Sequence, residues 1–418
     1  MDTADTAQQK SSGALARCVS APAAVFARDY WGERPLYSPA SRLPSGFADL
    51  FSAAAADELL TERALRTPFI RMANEGSVLP AGRLTASGGF GAEVADQVDP
   101  AKVLREFADG ATIVLQGLHR TWPPLQAFTR ALVAELGHPA QVNAYITPAS
   151  ARGFEPHYDV HDVFVLQVSG EKHWRVHAPV IEHPRADEPW AERRAAVEAR
   201  ACEEPVIDAV LRPGDALYLP SGWLHSAVAR GGTSVHLTIG VAARTGADVV
   251  RELVSELARG PALRAPLPVS GDGTDPAVFE AAVRAATLAF AQAVQARASA
   301  DGTARTAGAL RRSVRRMTRP EPVAPLATVA AAAGLSPHTL VRLRDGLTAE
   351  VSVDAGGVHL DAAGQALCLP AECETAVRAL ADGDRMCAGA LPGLDEADSL
   401  VVTRRLLRCA LLVTDPRD

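Results

Sequence analysis

Short apolar runs separated by glycine and proline fill the middle of the chain, between Ala111 and about Val241. Runs of this length with frequent turn residues are typical of β-strands, and several in succession indicate a β-barrel or a sandwich. A charged segment, RADEPWAERRAAVEARACEEP, interrupts them and predicts a partly helical excursion, which either rims a site or is a plain surface loop. The core is therefore predicted to be mainly β.

Helical periodicity occurs on both sides of this β-rich part. Before it stand FADLFSAAAADELLTERAL and DPAKVLREFADG, and after it ADVVRELVSELARG and DPAVFEAAVRAATLAFAQAVQARA. The last of these segments is apolar over too wide a face to be left in water, which predicts packing against a partner subunit. A proline-rich joint, TRPEPVAP, then leads to a helix, hairpin, helix order that predicts a winged-helix-like module.

Composition narrows the class of protein. A hydrophobic fraction of 48% and a charged fraction of 22% are near globular averages, which argues against a disordered, fibrous or membrane protein. The first residues lack the order of a signal peptide, and no uninterrupted apolar run reaches the roughly 20 residues of a membrane span. The 6 cysteines have no CxxC spacing, which indicates reduced thiols and a cytoplasmic location.

The formal net charge of -7 argues against direct nucleic-acid binding by the chain as a whole. One local cluster of arginines could form a basic patch: Arg311, Arg312, Arg315, Arg316 and Arg319. It lies at the end of a helix-like stretch, and we interpret it as a solvated helix face rather than a partner site.

Three residues form the candidate metal site. His157 and Asp159 alternate in PHYDVHDVFVLQ, so on a strand both side chains project from one face. With 11 histidines in the chain, about one His-x-Asp is expected by chance, so the tripeptide alone is weak. His225 follows a strand and a Pro-Ser-Gly turn, and it completes the facial triad of non-haem Fe(II) oxygenases. We therefore predict Fe(II) here, with positions open for a keto acid and O2.

Lysine is rare in this chain and occurs only at Lys10, Lys102 and Lys172. Because arginine is used almost everywhere else, Lys172 indicates a need for a compact ammonium at the end of a narrow pocket. A buried ammonium is costly without an anion, so this interpretation requires the far carboxylate of the keto acid. The alternative is an ordinary surface lysine.

The chain resembles a known family, the JmjC-type ribosomal oxygenases, also called the cupin-4 group. The resemblance runs from about Asp29 to the C-terminal module and is carried by YWGERPL, NAYITPASARGFEPHYDVHDVFVLQVSGEKHWRV, LRPGDALYLPSGWLHSA and SVHLTIG. It implies iron ligands and 2-oxoglutarate contacts at the following residues: His157, Asp159 and His225 for iron, and Lys172, Asn143, Tyr145 and Ser234 for 2-oxoglutarate.

The same resemblance implies an architecture. We expect a mainly β catalytic core of the double-stranded β-helix (cupin/JmjC) type with flanking helices, then a helical dimerisation region and a winged-helix-like α+β module. The expected boundaries are a flexible tail at 1–24, the JmjC/cupin catalytic domain at 25–245, the helical dimerisation region at 246–320 and the winged-helix-like C-terminal domain at 321–418.

Other residues near the motif have open roles. His161 and Asp162 either shape the substrate mouth or belong to the framework. His236 alternates with Ser234 on the closing strand and is either a hydrogen-bond donor behind the site or part of the core. Three neighbours are expected to be structural: Trp174, Trp223 and Gly222.

The expected function is that of an Fe(II)- and 2-oxoglutarate-dependent oxygenase. The resemblance favours hydroxylation of an amino-acid side chain in a protein or peptide substrate, such as a ribosomal protein, by a homodimer that uses O2. Alternatives are tailoring of a peptide natural product or free amino acid, and N-methyl-lysine demethylation through the same hydroxylation. A non-enzyme alternative is a cupin-fold regulatory protein that binds DNA through the winged-helix-like module.

Overall fold

The computed structural model describes residues 13–74, 76–91, 93–149, 151, 155–267, 276–347, 349–362 and 364–415. The chain divides into two compact units, Met1–Ala243 and Arg244–Asp418. The first unit contains the predicted metal ligands.

The helices of the first unit are α1 Ala14–Cys18, α2 Ala23–Asp29, α3 Ala53–Thr61, α4 Pro100–Ala108, α5 Leu118–Thr121, α6 Pro123–Leu136 and α7 Arg194–Ala201. Its strands are β1 Leu36–Ser38, β2 Ile70–Asn74, β3 Ser77–Val78, β4 Thr85–Ala86, β5 Gln97–Val98, β6 Thr112–Leu115, β7 Ala140–Thr147, β8 Asp162–His177, β9 Ile207–Leu211, β10 Ala216–Leu219 and β11 Leu224–Val241. Short 3-10 helices occupy Ala40–Arg42, Ala81–Arg83 and Trp190–Arg193.

One nine-stranded antiparallel sheet dominates this unit, in the order β1-β10-β8-β11-β7-β6-β2-β3, with β9 also paired to β8. The two longest strands, β8 and β11, pair from Leu224 opposite His177 to Val241 opposite Asp162. A bulge shifts their register between Arg230 and His236. The mainly β core is thus confirmed, and its long central strands carry most of the candidate site.

Flanking helices cover the sheet, and their ends follow ordinary capping chemistry. Asp99 caps α4 by accepting hydrogen bonds from the main-chain nitrogens of Ala101 and Lys102. Gly137, with φ +72°, ends α6 in the left-handed conformation that glycine adopts most easily. The helices and the sheet share one apolar core, in which Phe26 packs against Phe164.

The predicted flexible tail at 1–24 differs from the structure in its second half. Residues Ala14–Cys18 form α1, and Leu15 and Cys18 are buried in the core. The carboxylate of Glu135 accepts hydrogen bonds from the main-chain nitrogens of Ala14 and Leu15, at 2.6 and 2.9 Å. A long-range carboxylate therefore starts this short helix, a contact that local composition does not encode. Residues 1–12 lie outside the described part.

The helices of the second unit are α8 Gly246–Leu257, α9 Pro261–Arg264, α10 Pro276–Arg297, α11 Ala300–Met317, α12 Pro325–Ala333, α13 Glu374–Ala381 and α14 Glu396–Arg408. Its strands are β12 Leu340–Leu343, β13 Ala349–Asp354, β14 Gly357–Ala362, β15 Gln365–Leu369, β16 Met386–Cys387 and β17 Leu412–Thr414, and Ala371–Cys373 is a 3-10 helix. They form two three-stranded sheets, β16-β12-β17 and β13-β14-β15. The winged-helix assignment and the boundary at 321 stay predictions.

Helix α10 leaves large apolar side chains in solvent: Phe279, Val283 and Leu288 are 54%, 51% and 57% exposed. By length and composition alone this helix could cross a membrane, a criterion that helices of soluble proteins also meet. Two charged residues, Glu280 and Arg284, interrupt its apolar sequence.

Candidate active site

The three predicted metal ligands lie together in the first unit. One ligand atom from each of His157, Asp159 and His225 lies within 4.8 Å of the others. Nε2 of His225 is 3.8 Å from Oδ2 of Asp159, and the two imidazole centroids are 4.4 Å apart. Two imidazoles and one carboxylate therefore converge on a space the size of a metal ion.

Main-chain hydrogen bonds hold this cluster. His157 N donates to His225 O at 3.2 Å, and His225 N donates back to His157 O at 2.8 Å, as an isolated bridge outside the named strand pairs. Gly222 N donates to Asp159 O at 2.9 Å. The backbone of each ligand is thus fixed before any metal binds.

Both ligand histidines have Nδ1 next to a main-chain carbonyl oxygen. Nδ1 of His157 is 2.7 Å from Glu155 O, and Nδ1 of His225 is 3.1 Å from Trp223 O. Because a carbonyl oxygen can only accept, each Nδ1 carries the proton and each Nε2 keeps a lone pair. That lone pair is the one a metal requires.

The electrostatics keep Asp159 and His225 in their metal-binding forms. Burial raises the pKa of the Asp159 carboxyl, but the surrounding histidines and Arg71 outweigh it, so the net pKa is lowered. Burial and the neighbouring His157 lower the pKa of His225 to about 4. At neutral pH the cluster therefore presents a carboxylate and, at His225, a neutral imidazole.

A cavity of about 250 Å³ opens beside the cluster, with lining from β2, β7, β8 and β11. This is smaller than the roughly 300–1,000 Å³ of sites for drug-sized ligands, so it suits a small co-substrate. Trp190, from the charged excursion between β8 and β9, also lines it. The excursion therefore rims the site rather than forming a distant loop.

Lys172 lies inside this cavity and is only 3% exposed. Its Nζ donates a 3.1 Å hydrogen bond to Oγ1 of Thr147. Burial lowers the pKa of this ammonium to about 7. Among the described residues no carboxylate forms an ion pair with it. An anionic ligand would therefore offset the free-energy cost of burying this charge. Lys172 is a cavity residue, not a surface lysine.

Three aromatic rings pack against one another in the same cavity as Lys172 and the metal cluster. Tyr145 stacks on His236 with ring centroids 5.0 Å apart, and Trp174 meets His236 edge-on at 5.5 Å. Burial, followed by the charge of Lys172, lowers the pKa of His236 well below its usual range, which keeps the ring neutral. Burial also raises the pKa of Tyr145, so its hydroxyl stays protonated.

Two residues expected to contact 2-oxoglutarate do not line the cavity in the described part of the chain. Oδ1 of Asn143 accepts a 3.0 Å hydrogen bond from Gly117 N. Oγ of Ser234 accepts one of 2.9 Å from Nε2 of Gln167 and is fully buried. Their contacts with 2-oxoglutarate stay predictions.

The residues with open roles divide between the framework and the site. Asp162 is buried and accepts hydrogen bonds from the Tyr218 hydroxyl at 2.7 Å and from Ser221 N at 2.9 Å, so it belongs to the framework. His161 lies against Gly240, where an added Cβ would meet its Nε2 at 2.6 Å. Neither residue lines the cavity, whereas His236 and Trp174 both do.

Sequence reasoning missed three cavity residues, Arg71, Trp190 and Thr238, and also Thr147, the hydrogen-bond partner of Lys172. Thr147 had a signal, because it lies two residues after Tyr145 on β7 and so shares its face. Arg71 had none, since no local pattern connects β2 to the metal motif.

Two histidines and one carboxylate, held together beside a small cavity in an antiparallel sheet, define a cupin-type facial-triad protein. Residues 121–249 match the JmjC domain family. This matched stretch contains all three metal-ligand candidates.

Curated relatives agree with this assignment. The bifunctional lysine-specific demethylase and histidyl-hydroxylase NO66 of Drosophila persimilis is 30% identical over 230 residues, which is 52% of this chain and 29% of that protein. Ribosomal oxygenase 1 of Gallus gallus is 30% identical over 241 residues, 55% of this chain and 37% of that protein. The chain thus spans well under half the length of these relatives.

A solved structure shares the fold over nearly the whole chain. The Escherichia coli ribosomal oxygenase YcfD in complex with cobalt and 2-oxoglutarate aligns with a TM-score of 0.50 and 16% identity, covering 95% of this chain and 99% of that one. At this identity the likeness concerns the fold. It confirms the JmjC cupin core with flanking helices.

Proposed function

We propose that this chain is an Fe(II)- and 2-oxoglutarate-dependent oxygenase that hydroxylates an amino-acid side chain in a protein substrate. One observation carries the proposal: the His157, Asp159 and His225 cluster and the buried cation Lys172 line the same cavity. A metal site with open positions and a cation inside a small cavity match a chelating dicarboxylate.

The donor set fits iron. Nitrogen and carboxylate ligands in a two-histidine, one-carboxylate arrangement suit a redox-active divalent metal, whereas structural zinc takes four protein ligands. When bound, iron would supply O2 activation: one oxygen atom ends in succinate as 2-oxoglutarate loses CO2, and the other in a hydroxyl on the substrate carbon.

The residues of this chain would bind the co-substrate, orient the metal ligands and exclude water from the cavity. The ammonium of Lys172 would hold the distal carboxylate together with Thr147, whose hydroxyl oxygen accepts from Lys172 and whose O–H can donate to the ligand. Val163, Val165 and Trp174 give the cavity apolar walls that exclude water. The protonated Nδ1 atoms of the two histidines keep Nε2 aimed at the metal.

The substrate we propose is a side chain of a ribosomal protein. The names of the relatives support this class, as does a cavity too small to enclose more than the co-substrate and one side chain. An extended protein segment would then lie outside the cavity and insert a single residue.

The decisive experiment compares ribosomal proteins from cells with and without the gene by intact and peptide mass spectrometry. The expected result is loss of one oxygen atom's mass from a specific protein, restored by the wild-type gene but not by an Asp159→Ala version. An identical ribosomal protein set in both strains would reject the ribosomal substrate, and tailoring of a peptide natural product or free amino acid would then be favoured.

Demethylation is the second candidate because NO66 is named as a demethylase as well as a hydroxylase. Hydroxylation of an N-methyl group releases formaldehyde, so formaldehyde formed in step with succinate would favour it. A regulatory DNA-binding cupin is the non-enzyme candidate. Purified protein that binds no Fe(II) and releases no succinate from 2-oxoglutarate would favour that instead.

We further propose a cytoplasmic homodimer. Free thiols at all 6 cysteines support a reducing compartment. The exposed apolar side chains of α10 support a second copy of the chain as the covering surface.

A further inference from the structure

The cavity contains a second cation, Arg71, to which the proposed function gives no task. Arg71 lies on β2 and lines the cavity. It stands opposite Val114 of β6, which stands opposite Tyr145 of β7, which stands opposite His236 of β11. Residues directly opposite one another in a sheet project from the same face. Arg71 and Tyr145 therefore belong to one row of side chains directed at the site.

Arg71 and Lys172 occupy different places in the cavity. The guanidinium of Arg71 hydrogen-bonds Tyr145, and its charge helps to lower the pKa of the metal-ligand candidate Asp159. Lys172 instead donates a hydrogen bond to Thr147, and its charge helps to lower the pKa of His236. Arg71 thus interacts with a metal-ligand candidate, whereas the contacts of Lys172 are with Thr147 and His236.

Two separated cations match the two carboxylates of a dicarboxylate. A guanidinium offers a planar pair of N–H donors that suits a carboxylate, whereas an ammonium acts as a compact point charge. We propose that Arg71 binds the 2-oxo acid end of the co-substrate, while Lys172 binds the distal carboxylate. This inference rests on the proposed function and assigns a residue that neither the metal motif nor the family resemblance indicates.

The inference separates the two ends of the ligand, which can be tested with two keto acids. 2-Oxoglutarate has both carboxylates, and 2-oxobutyrate has only the 2-oxo acid end. Affinity for each is measured by titration calorimetry under anaerobic conditions, with protein saturated with Mn(II) in place of iron. The readout is binding, so it does not depend on turnover.

Arg71→Gln is expected to lower the affinity for both keto acids on the order of tenfold to a hundredfold, the loss typical of a charge-assisted hydrogen bond. Lys172→Met is expected to lower the affinity for 2-oxoglutarate strongly and the affinity for 2-oxobutyrate little. Arg63→Gln is the matched control, because Arg63 pairs with Glu58 on the surface, and it should change neither affinity. Arg71→Lys keeps the charge but loses the paired donors, so it should show a smaller loss of affinity for both keto acids. It replaces Arg71→Gln in the test if that variant does not fold.

The outcomes distinguish the inference from the function on which it rests. Unchanged affinity for both keto acids in the Arg71 variants overturns the inference. Weakening of 2-oxoglutarate alone also overturns it, because Arg71 would then serve the distal carboxylate. Wild-type protein that binds Mn(II) but neither keto acid rejects the proposed co-substrate itself.

Discussion

The main-chain N–H of Gly222 donates a 2.9 Å hydrogen bond to the carbonyl oxygen of Asp159. Gly222 has φ +84°, and a Cβ there would lie 2.6 Å from Ile181 O. A turn glycine in the left-handed conformation, which residues with a side chain rarely adopt, thus hydrogen-bonds the backbone of a metal-ligand candidate.

Gly222→Ala is therefore expected to lower the free energy of unfolding by about 1–3 kcal/mol and to weaken metal binding, because the turn must move away from Ile181. Gly231→Ala is the matched control: Gly231 has φ +77° but open space around its Cβ position. Thermal melts and Mn(II) titrations of both variants measure the effect. Equal metal affinities would show that the contact with Asp159 is unimportant.

Asp159→Asn is expected to reduce metal affinity by more than about a hundredfold, since even hydrogen-bond partners of metal ligands contribute 10–100-fold. Succinate release from 2-oxoglutarate should disappear with it. Asp208→Asn removes a carboxylate that bonds to His173 outside the cavity, and it should leave both properties intact. Normal turnover in a folded Asp159→Asn protein would contradict the metal assignment.

The pH dependence of stability should report on Lys172. Burial lowers its pKa from 10.5 to about 7. Between these values the unfolded chain binds more protons, so without ligand this group's contribution to stability rises with pH and is fully unfavourable below about 7.

Lys172→Met is expected to remove that rise and to stabilise the ligand-free protein at neutral pH by a few kcal/mol, at about 1.4 kcal/mol for each pKa unit. Denaturant unfolding at several pH values measures it. Lys102→Met is the control, because Lys102 donates to main-chain oxygens of Gly82 and Thr85 outside the cavity. A pH profile of Lys172→Met that matches wild type would place the charge of Lys172 in water.

Val283→Glu with Leu288→Glu should convert a dimer into a monomer, because both side chains are exposed on α10 and charges would be buried at its interface. Sedimentation equilibrium gives the mass directly. Leu326→Glu, on α12, is the control, since Leu326 is equally apolar and more exposed. A wild-type protein that is monomeric at micromolar concentration rejects the dimer.

Much of the fold was predictable, because alternating apolar runs report strands locally. The lengths of the strands were not predictable in the same way. DVFVLQVSG and HWRVHAP were predicted as separate runs, yet the first and the HWRVH of the second belong to the single strand β8. Gly170 does not end the strand: a Cβ there would lie 2.2 Å from Thr233 O of β11, so the glycine permits close approach of two backbones. Glycine in a sequence cannot by itself distinguish a turn from such a contact.

The candidate site was predictable where its residues are close in sequence or differ from the composition around them. His157 and Asp159 are two residues apart, His225 follows a turn, and Lys172 is one of few lysines. The predicted strand at His157 and Asp159 is wrong, because β8 begins only at Asp162 and an isolated bridge to His225 holds His157 instead. Arg71 reaches the cavity only through pairing of β2, β6 and β7. Such long-range register leaves no local pattern.

The reciprocal hydrogen bonds between His157 and His225 involve main-chain atoms alone. Substituting either side chain would leave those bonds available, so a cysteine or a glutamate would start from the same Cα position. Metal preference follows the chemistry of the donor atoms. The sheet is thus a scaffold for redesign, in which exchange of one or two side chains could change the metal without rebuilding the backbone.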